Sequence, residues 1–143
     1  MTFRDIEAAA AGFRLTNGKG EELVVRYDRN SGEFVLDFSR SGQVDYSQDP
    51  MARSIVTIAR DGAPQKAGFE RETYAPAAAD GSLSLRLLLD RSSVECFERN
   101  GHFVITDYIF PSVPYDRIEF FAENGRCRIT DFAAYPLIVP ETK

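Results

Sequence analysis

The chain has no tryptophan, a single histidine and two cysteines among 143 residues, and each shortage closes off a kind of chemistry. His102, placed at a turn with no serine or cysteine partner close by in sequence, reads as a solvated side chain. That removes the material for a Ser-His triad or a histidine metal site. Cys96 and Cys127 form no metal-binding spacing, and each alternates with charged neighbours as an inward-facing strand residue does. They read as reduced core thiols rather than a disulfide, because free cysteine behaves as a small buried hydrophobe. No apolar run reaches the ~20 residues of a membrane-spanning helix. The opening Met1-Thr2-Phe3-Arg4-Asp5 carries charge where a secretory signal has an apolar core. Either the protein is cytosolic or a leader has been cut away, and the compartment stays open.

What is present describes one globular domain. Hydrophobic residues make up 43%, aromatics 12% and charged residues 27%, too apolar for a disordered chain and long enough for one core. The net charge of −5 is spread along the sequence, with Lys and Arg among the acids. A polyanion such as nucleic acid is therefore an unsuitable partner.

The organising stretch is Leu83 to Pro111, LSLRLLLDRSSVECFERNGHFVITDYIFP. It reads as a long hairpin turning at Asn100-Gly101, since both residues tolerate the positive φ of a type I′ turn. Leu83, Leu85, Leu87 and Leu89 recur at period two in the first arm, with Val94 and Cys96 following a polar interruption at Asp90-Arg91-Ser92-Ser93. The second arm, Phe103 to Phe110, is β-branched and aromatic and stops at Pro111, which has no N–H for a ladder. Such a hairpin needs more sheet around it to bury its apolar face.

Elsewhere the chain repeats this pattern. A strand at Phe13 to Thr16 leads to a turn at Asn17-Gly18-Lys19-Gly20, and a strand at Glu22 to Asp28 presents Leu23, Val25 and Tyr27 on one face. After Asn30-Ser31-Gly32, Phe34, Leu36 and Phe38 alternate through Glu33 to Ser39. Arg40 to Pro50 reads as a loop, Met51 to Ala59 as a strand, and Asp61 to Asp80 has no clear period, with Ala75 to Ala79 as a connection. Arg117 to Ala122 and Arg126 to Ala133 read as a last pair hinged at Asn124-Gly125. Short strands, frequent Gly, Asn and Pro turns and no convincing helix predict an all-β fold, a sandwich or a closed barrel.

The string Asp90-Arg91-Ser92-Ser93-Val94-Glu95, a strand, Asn100-Gly101, a second strand and Ile109-Phe110-Pro111 resembles the signature of the C-terminal β-sandwich domain of glycoside hydrolase family 32. Asn17 to Glu22, Tyr27-Asp28-Arg29, Ser39 to Gly42, Ile118 to Glu123 and Tyr135-Pro136-Leu137 resemble other strands and turns of that domain. The resemblance implies an all-β sandwich of two antiparallel sheets, concanavalin-like or jelly-roll-like. It would comprise a poorly defined N-terminal edge at 1–11, one sandwich at 12–139 and a tail at 140–143. Family members begin with a clear strand before the position of Gly12, and here Thr2 to Ala11 is an alanine-rich run that reads as a frayed strand.

The resemblance further implies a parent enzyme that cleaves fructans or sucrose, with its catalytic residues in a separate N-terminal five-bladed β-propeller. That propeller is the expected partner, and fructan, sucrose or a second copy of the chain are further candidates. Hydrolysis with retention needs two carboxyl groups about 5–5.5 Å apart, and the propeller's Asn-Asp-Pro, Arg-Asp-Pro and Glu-Cys motifs have no match here. Gln48-Asp49-Pro50 lacks the preceding Asn or Arg, and Glu95-Cys96 falls inside the sandwich signature. No catalytic residue, metal or cofactor is assigned.

Sugar-contacting candidates are Asp90, Arg91 and Glu95, with Arg40 beside Asp45, because carboxylates and a forked guanidinium suit paired hydroxyls. The structural alternative is a network in which Arg91 holds a carboxylate at a strand bend or bulge. Two functions follow: a non-catalytic domain supporting a propeller, or a free-standing carbohydrate-binding module. An exposed aromatic platform would favour the module. A flat apolar face would favour the supporting domain.

Overall fold

The computed structural model describes residues 1–43, 56–58, 64–66, 70–74, 77 and 80–137. These residues contain strands and no helix. In chain order the strands are β1 Thr2–Arg4, β2 Ala10–Thr16, β3 Glu22–Asp28, β4 Glu33–Arg40, β5 Val56–Ile58, β6 Pro64–Lys66, β7 Glu70–Tyr74, β8 Leu83–Leu89, β9 Ser93–Glu98, β10 Val104–Tyr108, β11 Arg117–Glu123 and β12 Arg128–Thr130. Two five-stranded antiparallel sheets result, one ordered β10-β9-β8-β1-β12 and the other β11-β2-β3-β4-β7, with β5-β6 as a separate pair.

Period-two patterning decides which side of each strand faces in. Leu23, Val25 and Tyr27 on β3 and Phe34, Leu36 and Phe38 on β4 are buried, as their alternation predicts. From the first sheet come Phe3, Leu83, Leu85, Val94, Cys96 and Ile105, and together these residues form one core. Phe34 of β4 meets Phe103, the residue before β10, with ring centroids 4.5 Å apart, so the two layers interlock directly. The fold is an all-β sandwich.

Five local readings change. Thr2–Arg4 is a full member of the first sheet, between β8 and β12, with Phe3 opposite both Leu83 and Ile129. Its shortness hid it, since three residues show no period. Asp90 to Ser92 neither interrupt one arm nor form a bulge: β8 and β9 pair antiparallel with Leu89 opposite Val94, so the polar string is a tight turn. The predicted hairpin is thus a three-stranded meander.

At Asn100-Gly101 only the glycine has positive φ, and Gly101 N–H donates to Glu98 C=O. Phe103 C=O accepts from Glu98 N–H, which makes a four-residue loop rather than a type I′ turn. Asn124 and Gly125 do have positive φ (52° and 152°), but they carry the chain from β11 in one sheet to β12 in the other. Left-handed backbone permits a hairpin without requiring one. In the stretch read as aperiodic, β7 pairs with β4 and β6 with β5. The readings at 44–55, 59–63, 67–69, 75–76 and 78–79 and from 138 onward lie outside the described residues.

Candidate functional site

One end of the sandwich gathers the sequence's polar candidates. Ile109 N–H donates to Ser92 C=O, and Gln43 N–H donates to Phe110 C=O. The β8–β9 turn, the segment after β10 and the corner after β4 are thereby tied in a row. Arg40, Asp90 and Arg91 all lie at this end, and all three are exposed. Arg40 pairs with Glu22 at 2.7 Å across the β3–β4 ladder. Asp45 lies outside the described residues. Asp90 accepts from Arg91 N–H at 2.7 Å, which stiffens the turn. Glu95 stands on the outward side of β9 opposite Thr106. Among the described residues, no two of the four candidate side chains bond to each other.

The most organised polar group at this end was not among those candidates. Asn17, 8% exposed, donates through Nδ2 to Glu21 Oε2 at 2.7 Å and to Val113 C=O at 2.8 Å. Its Oδ1 accepts from Lys19 N–H and Glu21 N–H. Ser112 N–H donates to the Glu21 carboxylate at 2.9 Å. Asn17, together with Ser112, holds the Glu21 carboxyl below its ordinary value. The group clamps the β10–β11 connection onto the β2–β3 turn. Beside it burial pushes the Tyr115 hydroxyl up to about 12, with the nearby Glu21 charge adding.

At the opposite end several carboxylates pair with arginines. A depression of about 260 Å³ is lined by Asp5, Glu7, Arg29 and Asp80 among others. Arg126 grips Glu7 through both carboxylate oxygens at 2.8 and 3.0 Å. Arg128 meets Asp5 at 2.7 Å and Arg4 meets Asp80 at 3.3 Å. The Arg126 bond and charge hold the Glu7 carboxyl down, and bonds from Ser82 do the same for Asp80. No group of three or more His, Cys, Asp or Glu able to hold a metal occurs among the described residues.

His102 is not simply solvated. Its backbone N–H donates to Glu98 Oε2, and its Nδ1 lies 3.0 Å from the same oxygen. Glu98 itself is 3% exposed at an inward-facing position. Both cysteines are free, and burial pushes the Cys96 thiol up to about 12, which leaves it inert.

The outward side of β8, β9 and β10 carries apolar side chains among polar ones. Val104 stands opposite Phe97, which stands opposite Arg86, and two residues along are Thr106, Glu95 and Leu88. Val104 is 58% and Tyr108 74% exposed, and Phe110 follows at 43%. Phe97 and Tyr108 sit four register positions apart, about 13 Å at ~3.3 Å per residue, too far to stack on one sugar ring. The face mixes aliphatic, aromatic and polar side chains, and Phe97 and Tyr108 form no aromatic platform on it. Leu87-Leu88-Leu89 and Phe97 beside inward Cys96 were its signal in the sequence, because both faces of those strands are apolar there.

Residues 1–136 match the family described as glycosyl hydrolases family 32 C terminal. The chain belongs to this family. Levanase of Bacillus subtilis (strain 168) is 30% identical over 130 residues, covering 91% of this chain and 17% of the levanase. Fructan beta-fructosidase of Streptococcus mutans is 26% identical over 133 residues, covering 93% of this chain and 8% of that protein. The chain thus spans less than a fifth of the length of these relatives. Among solved structures, exo-inulinase from Aspergillus awamori superposes with a TM-score of 0.66 at 23% identity, over 87% of this chain and 21% of that one. That likeness concerns the fold. The family 32 signature at 90–111 falls on β9, β10 and the turns around them, so it marks a structural meander.

Proposed function

We propose that this chain is the supporting sandwich of a fructan- or sucrose-cleaving family 32 enzyme. It packs against the N-terminal catalytic propeller and carries no hydrolytic centre of its own. The observation that carries this reading is the outward face of β8–β10. There Val104 and Tyr108 are exposed, with Phe97 opposite Val104 and Leu88 one row along, and large apolar side chains left exposed on one face suit an interaction site.

The carboxylates support the second half of the reading. A glycosidase's general acid needs a raised carboxyl pKa, next to a partner carboxyl that stays ionised. Glu7, Glu21, Asp28 and Asp80 are all shifted the other way, by arginine, asparagine, serine or backbone donors. These are carboxylates committed to structure.

Calorimetric titration of the chain with levan, inulin and short fructo-oligosaccharides, with fructose release assayed on the same samples, tests the reading. Neither binding nor release is expected. Release would overturn it. Binding without release would make the chain a carbohydrate-binding module. Loss of that binding in Arg91→Ala or Asp90→Ala would assign the sugar contact to the β8–β9 turn.

A further inference from the structure

The second sheet ends at β11, which pairs with β2 on one side and with no described residue on the other. The bonding of β2 tells which groups face out. Asn17 N–H donates to Glu21 C=O, and Ala9 C=O accepts from Arg29 N–H, so the odd-numbered residues here bond toward β3. Bonding direction alternates along an antiparallel strand. The even-numbered residues of β2 therefore bond to their register partners Arg117, Glu119, Phe121 and Glu123. Ile118, Phe120 and Ala122 turn their N–H and C=O groups to the free edge.

Open edges commonly carry charges that repel another strand. Those of β11 are instead complementary to themselves. When two copies run antiparallel about Phe120, Arg117 of each stands opposite Glu123 of the other, and Ile118 opposite Ala122. Phe120 meets its own copy, and the pairs at 118, 120 and 122 are the doubly bonded ones, as their free N–H and C=O groups require. Neighbouring registers fail. Centring on Glu119 sets that carboxylate against its copy, and centring on Phe121 sets Glu119 against Glu123, like charges directly opposite.

The side chains are placed for this pairing. Arg117 and Glu123 are exposed on the outward side, and Arg117 has no ion pair among the described residues. Arg26 bonds Glu123 through Oε2 at 3.0 Å. On the inward side Phe120 packs edge-on against Phe3 and Phe13 and is still 38% exposed. At the edge of the other sheet, β10 has no such match: pairing with itself about Thr106 sets buried Ile105 against Asp107 and joins no opposite charges.

We propose that the free edge of β11 is a self-association site whose occupant is β11 of a second copy, antiparallel and centred on Phe120. The two copies are related by a two-fold axis, and their β11-edged sheets become one. The β8–β10 face lies on the other sheet, so this site stands apart from the docking reading.

Sedimentation velocity over a concentration series tests it, on this chain and on two charge reversals, Arg117→Glu and Glu123→Arg. The unaltered chain is expected to pass from monomer to dimer as its concentration rises. Each reversal should weaken association about tenfold or more, because symmetry places like charges opposite each other twice. Mixing the two reversed chains restores both opposite-charge pairs, and the mixture should associate as the unaltered chain does. Ala122→Pro removes an N–H that faces the free edge and none from the ladder to β2, and should abolish the dimer. Amide exchange adds a local reading: Phe120 and Ala122 should slow with concentration, while Phe121 stays protected throughout and shows that each variant is folded. A chain that stays monomeric, or a dimer indifferent to the reversals and to Ala122→Pro, would overturn the proposal, as would reversals that mixing does not rescue. Protection of Phe120 and Ala122 at every concentration would assign the edge to another part of the same chain and overturn it too.

Discussion

Replacing Asn17 with alanine isolates the clamp that holds the two sheets' connecting segment in place. The side chain makes four hydrogen bonds: Nδ2 to Glu21 and to Val113 C=O, and Oδ1 from the Lys19 and Glu21 amides. A net contribution of ~0.5–1.5 kcal/mol per bond would suggest more, but the turn amides and Glu21 can turn to water, so the expected loss is about 2 kcal/mol. For a domain of this size that lowers Tm by about 4–8 °C. In urea the midpoint should fall with the slope m unchanged, because the native surface stays the same. Asn17→Asp should be worse at neutral pH, since it keeps the acceptor, loses both donated bonds and sets a second charge against Glu21. Part of that extra loss should return on acidification. A change in Asn17→Ala of less than about 0.5 kcal/mol, the range of an ordinary surface substitution, would refute the assignment of the clamp.

Two further outcomes follow. Gly12→Ala puts a Cβ into the Val25 carbonyl and 2.9 Å from the Phe121 ring. With backbone on one side, the sheet must move, and a loss of about 1–3 kcal/mol is expected in chemical denaturation. The depressed carboxyls of Glu7, Glu21, Asp28 and Asp80 bind protons more readily in the unfolded chain, so stability rises with pH where they titrate. Their contribution is complete above the ordinary values of 4.5 for Glu and 3.8 for Asp. It is lost as the pH falls below them. A Tm that is flat from neutral pH to 5 and then drops, with a shallower drop in Glu21→Gln, checks this.

Strands with strict alternation were legible in the sequence, as β3 and β4 show, because a period of two is visible over seven or eight residues. The hinges were not. Asp90 to Ser92 looked like an interruption because a tight turn of ordinary residues leaves no glycine or positive-φ mark. Asn124-Gly125 carried that mark and still did not make a hairpin, because sheet assignment is settled by what packs, with Phe120 of β11 against Phe3 and Phe13. Of the candidate site, position was legible and partnership was not. Arg40, Asp90 and Arg91 share one end of the sandwich, but Arg40 finds its carboxylate in Glu22, eighteen residues away. The clamp at Asn17 went unseen because its partners Val113 and Ser112 lie over ninety residues downstream.

The central claim is that this domain docks on a catalytic propeller through the outward face of β8–β10. Calorimetric titration of a separately produced family 32 N-terminal catalytic domain with this chain tests it most directly. Val104→Asp and Tyr108→Asp serve as the paired controls, since both positions are exposed and neither supports the core. The account predicts a one-to-one complex that either substitution weakens at least tenfold, with the folded stability of the chain unchanged. No association by the folded chain, or association indifferent to both substitutions, would contradict it.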